Sequence, residues 1–215
     1  MVRAVVEGDS DLVMNMIIGC MILAGGKSSR MGTDKALLEI DGTNFIGKIA
    51  GELNFFEEKF FARGNCEAVS VPGWQNIPDI YPECGPIGGL HAALKTCRSD
   101  ALVCVTCDMP LLKSELVRDS CDQMTEEYDA VILKEADGRI HPTCGIYSKS
   151  AVNVFEQQIL EGNYRMMRVL DRLRVKYVTI DPQNWSWQLK NINTPEDLRE
   201  LKMETDILSM INQTA

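Results

Sequence analysis

Apolar positions follow two rhythms along this chain. Residues 16–24 form a short β-compatible run that ends in Gly25-Gly26, which predicts a buried first strand. Phe45, Ile46, Ile49 and Leu53 then recur at helical spacing, predicting a helix over about 43–55. Short strands are expected at 59–62 and 75–79, and a helix at 88–97. Residues 101–107 carry no charge, so that strand should be covered on both faces. A helix is expected at 114–124 and a strand at 129–133. After the polar turn Asp137-Gly138, 139–147 reads as an antiparallel addition. Helices at 148–160 and 164–173, a strand at 175–180 and a final helix from Thr194-Pro195 towards 210 complete the pattern, with Thr194 as N-cap and Pro195 as first helical residue.

Such alternation predicts a single Rossmann-like α/β domain of three layers, with a mainly parallel mixed sheet. Its expected extent is 16–215, with 1–15 an N-terminal extension that reads as a frayed tail. A length of 215 residues, 45% hydrophobic and 25% charged, fits one globular domain. The net charge of −9 repels nucleic acid and anionic membranes on average, so an anionic ligand needs a local basic pocket. Acidic residues precede the apolar run at 12–24 and no run reaches a membrane span, so neither a signal peptide nor a membrane segment is expected. The eight cysteines include Cys104 and Cys107, three apart on a predicted strand and therefore on opposite faces, which disfavours zinc. Buried free thiols in a reducing cytoplasm are the expectation.

Chemistry collects at predicted strand ends, where open α/β sheets bind ligands. The loop 25–35 holds three glycines, two serines and three basic residues. It suits a phosphate cradle in which backbone N–H groups, Arg30 and Lys35 meet phosphate oxygens. It is not a P-loop, because Met21 stands where the first glycine belongs. Asp108 ends an apolar strand, an unfavourable place for a carboxylate unless a cation such as Mg²⁺ joins it; a turn or cap role is the alternative. If the segments ending at Asp79 and near Asn191 and Asn193 point the same way, one ligand touches all four clusters.

Leu23-Ala24-Gly25-Gly26, Ser28, Arg30-Met31-Gly32 and Asp34-Lys35-Ala36-Leu37 closely resemble the signature of molybdenum cofactor guanylyltransferases. Asp79 with Gly85-Pro86-Ile87-Gly88-Gly89, Cys107-Asp108-Met109-Pro110, and the stretch from Asn191 to Leu198 resemble the family's later motifs, and the likeness spans about 17–205. The resemblance implies a cytoplasmic, Mg²⁺-dependent enzyme that transfers GMP from GTP to the terminal phosphate of molybdopterin, releasing pyrophosphate. It implies that Leu23, Ala24, Gly25 and Gly26 lie against the nucleotide, that Lys35 holds phosphate, that Asp79 contacts the nucleotide and that Asp108 binds Mg²⁺. Arg30, Lys35 and Asp108 would supply the catalytic charge, and no protein nucleophile is needed. Asn191 and Asn193 are candidate substrate contacts or else serve the helix cap, and Arg165 and Arg168 either meet the pterin phosphate or form a solvated face. His91 and His141 read as structural. Expected partners are GTP, molybdopterin and the apoenzymes that accept the finished cofactor.

The family commonly has an asparagine after its second strand, whereas here Arg63 follows Phe60-Phe61-Ala62 and Asn65 comes two places later. The alternatives are a nucleotidyltransferase for CTP or a sugar phosphate, and a noncatalytic adaptor. Ala24-Gly25-Gly26 and the Asp34-Lys35 pair favour the guanylyl enzyme.

Overall fold

The computed structural model describes residues 2–4, 16–24, 37–64, 70–182 and 185–203. In chain order these form β1 (Val2–Ala4), β2 (Met16–Leu23), β3 (Glu39–Ile40), β4 (Thr43–Asn44), α1 (Phe45–Glu52), β5 (Lys59–Ala62), β6 (Gln75–Asn76) and α2 (Pro86–Thr96). Then follow β7 (Ala101–Thr106), α3 (Ser114–Cys121), β8 (Ala130–Lys134), β9 (Ile140–Ser148), α4 (Val152–Leu160), α5 (Met166–Leu170) and β10 (Val175–Thr179). The last described helix, α6, covers 195–203.

The main sheet runs β10-β8-β9-β7-β2-β5-β6, with β1 added antiparallel to the start of β2. Within this path only β9 runs against its neighbours. The expectation of a mainly parallel mixed sheet holds. Val2–Ala4, expected to fray, instead pair with Met16–Ile18, before β5 joins β2 at Cys20.

The period-two alternation of a strand divides the interior. Cys20, Ile22 and Ala24, with Val103, Val105 and Cys107, face a core closed by α1 and α3. Met21, Leu23, Leu102 and Cys104 face a second core under α2, α4 and α5. Cys104 and Cys107 thus occupy opposite faces. Three layers result, and the uncharged β7 lies in the middle because both its faces are covered. A third cluster of Ile40, Phe45, Ile192 and Leu201 binds the β3–β4 hairpin and the start of α1 to the 191–201 segment.

Local chemistry sets the helix ends. Asn44 caps α1 by accepting from the Gly47 N–H at 2.8 Å, which holds residues 43–44 in a strand and starts the helix later than apolar spacing predicted. Pro86 opens α2 two residues earlier than expected, its fixed φ suiting the first turn. Residues 87–94 of this helix are all buried, since α4 covers the side that would otherwise meet water.

One buried group there carries a cost. Both ring nitrogens of His91 lack a hydrogen bond, Glu156 Oε1 stands 3.8 Å from Nε2, and Tyr81 and Lys95 approach the same carboxylate. Burial holds the imidazole below its ordinary value, although Glu156 pulls the other way. The unfolded chain therefore binds a proton at pH values where the folded chain resists it. Stability should fall as pH drops below about 6.5. Urea midpoints between pH 7.5 and 5 would show that slope, and His91→Leu should flatten it; an equally steep slope in the variant would assign it to other groups.

Candidate active site

The order of strands reverses between β2 and β7: from β2 the chain moves to β5 and β6 on one side, then returns to β7 on the other. At such a switch point the loops leaving adjacent parallel strands diverge and open a crevice. Its lips here are Leu23-Ala24 and Cys107-Asp108. The Cys107 N–H donates to the Leu23 carbonyl at 3.0 Å, and the Ala24 N–H to the Ala62 carbonyl at 2.9 Å, so the ends of β7, β2 and β5 are laced together.

Asp108 is half-buried in the turn after β7. Thr106 Oγ1 donates to its Oδ1 at 2.5 Å, fixing the rotamer of the carboxylate. The Asp108 carbonyl accepts from the Ile192 N–H at 2.8 Å, which brings the Asn191–Asn193 segment onto the same edge. Gln188, almost fully buried, accepts from the Lys113 N–H at 2.9 Å and ties down the far end of the Asp108 loop. Asp108 does not cap α3, whose N-cap is Lys113.

Asn193 and Thr194 both donate backbone N–H groups to Asp197 Oδ2 at 2.8 Å, while Thr194 Oγ1 accepts from the Asp197 N–H at 3.1 Å. This reciprocal cap fixes the backbone after Asn191 and confirms Thr194 as N-cap. The Asn193 N–H holds the Asp197 carboxyl below its usual value. The cap therefore engages the Asn193 backbone.

Asp79 follows β6 and reaches the opening turn of α2. A Cβ added at Gly88 would sit 3.5 Å from Asp79 Oδ2 and 3.0 Å from the Tyr81 carbonyl. One at Gly89 would lie 3.7 Å from Asp79 Oδ1 and 2.8 Å from Leu23 Cδ2. Two successive glycines thus let the helix pack directly against the end of β2 and against Asp79. Burial pushes the Asp79 carboxyl up, and no cation offsets it among the described residues. A half-buried acceptor beside a helix N-terminus suits a ligand that donates hydrogen bonds.

Leu23, Ala24, Asp79, Asp108, Asn191 and Asn193 therefore share one edge of the sheet. Gly25, Gly26, Arg30 and Lys35 follow β2 in the sequence and lie outside the described residues, as does Asn65. Arg63 is half-buried just past β5. Arg165 is exposed at the start of α5, and Arg168, also exposed, pairs with Asp171 at 3.3 Å. Sequence reasoning missed Thr106 and Gln188. Thr106 was findable as the hydroxyl ending an otherwise apolar strand; Gln188 sits in a polar stretch with no periodic signal.

Among the described residues, no three of His, Cys, Asp and Glu gather into a metal cage. Asp108 supplies one half-buried carboxylate at the crevice, a donor of the kind a divalent cation shared with substrate oxygens takes.

A family model described as the MobA-like NTP transferase domain matches residues 20–177. A "Probable molybdenum cofactor guanylyltransferase" of Clostridium perfringens is 32% identical over 193 residues, covering 86% of this chain and 96% of its own length. The crystal structure of molybdopterin-guanine dinucleotide biosynthesis protein A from Archaeoglobus fulgidus superposes with a TM-score of 0.77 at 25% identity, covering 87% of this chain and 98% of that one. A 2-C-methyl-D-erythritol 4-phosphate cytidylyltransferase from Thermus thermophilus superposes at 0.65 with 11% identity, covering 86% of this chain and 98% of that one; it shares the fold alone. With the domain match spanning most of its length and a relative this similar over 86% of the chain, the chain belongs to the MobA-like NTP transferase family.

Proposed function

We propose that this chain transfers GMP from GTP to the terminal phosphate of molybdopterin, giving the guanine dinucleotide form of the cofactor and pyrophosphate. The observation that carries the reading is Asp108, locked by Thr106 and Ile192 at the switch point beside Leu23 and Ala24. The name of the Clostridium relative and the Archaeoglobus structure support the same activity.

In this reading Leu23, Ala24, Gly25 and Gly26 pack against the guanine nucleotide. Asp79 accepts a hydrogen bond from it, and Lys35 holds a phosphate. Arg30 supplies a planar fork of donors to the triphosphate. Asp108 holds Mg²⁺, which when bound neutralises charge on the nucleotide phosphates. A molybdopterin phosphate oxygen attacks the α-phosphorus of GTP, the bond from that phosphorus to the bridging oxygen breaks, and pyrophosphate leaves. Attacker and leaving group are both anionic, so the chain's work is to position them and offset their repulsion, with Asn191 and Asn193 as further substrate contacts.

The described cysteines, all buried and none in a disulfide, support a reducing cytoplasm as the place of action, where the apoenzymes that accept the cofactor would be met. No helix among the described residues is long and apolar enough to cross a membrane.

Supplying molybdopterin and Mg²⁺ with each nucleoside triphosphate in turn tests the proposal. Dinucleotide and pyrophosphate should form with GTP alone. A preference for CTP would replace the reading with a cytidylyltransferase, and binding without turnover would replace it with an adaptor.

A further inference from the structure

The edge holding Asp108 continues into β9, where the ladder departs from regular pairing. Ile132 of β8 stands opposite Gly145, yet Lys134 stands opposite Ile140, so the four residues 141–144 of β9 face the single Leu133. Irregularities of this kind break backbone pairing, and they gather where a strand must re-aim a side chain. The segment is His141-Pro142-Thr143-Cys144, in which Pro142 has no N–H to give the ladder.

This bulge is tightly held. The hydroxyl of Tyr147, a wholly buried residue, donates to the Pro142 carbonyl. His141, itself only 6% exposed, places Nε2 at 2.7 Å from Glu135 Oε1. Glu135 is fixed in turn through its N–H to the Arg139 carbonyl at 2.8 Å, and the Arg139 guanidinium stands 3.7 Å from the same carboxylate oxygen.

The bulge also lies beside the site. β9 runs antiparallel to β7 with Cys104 opposite Gly145, so residues 141–144 extend along the end of β7 towards Asp108. Cys144, the last residue of the bulge, is buried in the same core as Cys107 and Met109, the two neighbours of Asp108, and burial with the Asp108 charge pushes its thiol up to about 12. β9 flanks β7 on the side away from β2. In the proposed reaction the nucleotide occupies the β2 side, and an in-line displacement needs the attacker to arrive opposite the leaving group.

We propose that His141, oriented by Glu135, binds the acceptor phosphate. The inference rests on the guanylyltransferase reading and assigns its second substrate to the β9 bulge. Glu135 engages Nε2, which leaves Nδ1 as the ring nitrogen for a ligand. Glu135 accepts from the Nε2–H, and Nδ1 shares a proton with a phosphate oxygen. Arg139 adds a guanidinium at the rim. A buried His–Glu pair that only braced the hairpin would affect both substrates alike.

Steady-state kinetics of His141→Gln and Glu135→Gln, each against wild type, separate the two roles. His141→Gln should raise KM for molybdopterin about tenfold or more, with KM for GTP changed less than about twofold. Glu135→Gln should move the same constant in the same direction by a smaller factor. Unchanged molybdopterin KM in both variants, or parallel rises in both KM values, would overturn the assignment. If His141→Gln fails to fold, Glu135→Gln decides by the same criterion. A wild-type protein that makes no dinucleotide from GTP and molybdopterin would instead overturn the guanylyltransferase reading, and His141 would lose its role with it.

Discussion

Replacement of Asp108 by alanine should lower pyrophosphate release by about 10²–10³-fold while the protein remains folded, the scale seen when one preorganised charge-stabilising group is deleted from an active site. The fold should survive because the substitution leaves the Asp108 backbone intact, and its carbonyl is what receives the Ile192 N–H. What disappears is the carboxylate, including the acceptor for Thr106 Oγ1, worth about 1 kcal/mol in stability. Asp108→Asn is the sharper variant. Its amide oxygen still accepts from Thr106, so a loss of turnover nearly as large as in alanine would trace the effect to the missing charge. Turnover and its Mg²⁺ dependence, followed by pyrophosphate release, provide the measurement. Wild-type rates in either variant would remove Asp108 from the mechanism.

A second large effect is expected where no charge is substituted. Gly145 lies where β9 crosses between β7 and β8, and a Cβ there would come within 2.7 Å of both the Val131 carbonyl oxygen and Ile132 Cδ1. The isoleucine methyl can swing aside, but the carbonyl belongs to the backbone of β8 and moves only if the strands part. Gly145→Ala should therefore cost about 1–3 kcal/mol, the usual penalty for overpacking. For a chain of this length that lowers Tm by roughly 2–4 °C per kcal/mol. Gly51 provides the contrast: it lies exposed on α1 with nothing within 4 Å of its Cβ position. Gly51→Ala should stabilise by about 0.5–1 kcal/mol, because alanine loses less conformational freedom in a helix. Thermal melts of the two variants should move in opposite directions, and a Gly145→Ala protein as stable as wild type would mean that the β8–β9 ladder yields easily.

The parts of this architecture that were legible beforehand are those whose signal is local. Lys59–Ala62 matches its predicted strand residue for residue, and β7 differs by its final residue, because dense apolar runs between polar breaks leave few alternatives. Thr194-Pro195-Glu196-Asp197 announced a helix start through side chains that satisfy their own neighbours' N–H groups, and it forms that start. Elements that depend on distant partners were hidden. The β3–β4 hairpin has two residues per strand, too few to show a period, and persists by packing Ile40 and Phe45 against Ile192 and Leu201. The β9 bulge was hidden for a related reason, since the run 139–147 reads as an ordinary strand until β8 supplies its register.

The candidate site divides along the same line. Asp108 stood out because a carboxylate closing an uncharged strand is costly, and Asp79 stood out through the Gly88-Gly89 step that follows it. Their convergence was a conditional expectation: Asp79, Asp108, Asn191 and Asn193 share the edge, while residues 25–35 lie outside the described residues. Asn191 and Asn193 are not on a strand pointing towards the ligand. They reach the edge on a loop, after a short 3-10 turn at Ser186–Leu189, pinned by the Asp108 carbonyl. No local pattern announces that a buried glutamine will hold a loop 75 positions away.

The tie between Asp108 and Ile192 also bears on when the site exists. Its two lips are made from residues around 23 and 108, but the loop behind the second lip is held by Gln188 and Ile192, almost at the end of the described chain. A chain emerging from a ribosome has both lips outside long before it has their support. The sheet from β2 to β9 can pair while the Asp108 turn is still unclamped, and the site sets only when the last segment docks. Synthesis thereby imposes an order in which the central strands come first and the rigid crevice last, so a nascent chain does not carry a finished nucleotide site until residues 188–192 have been translated.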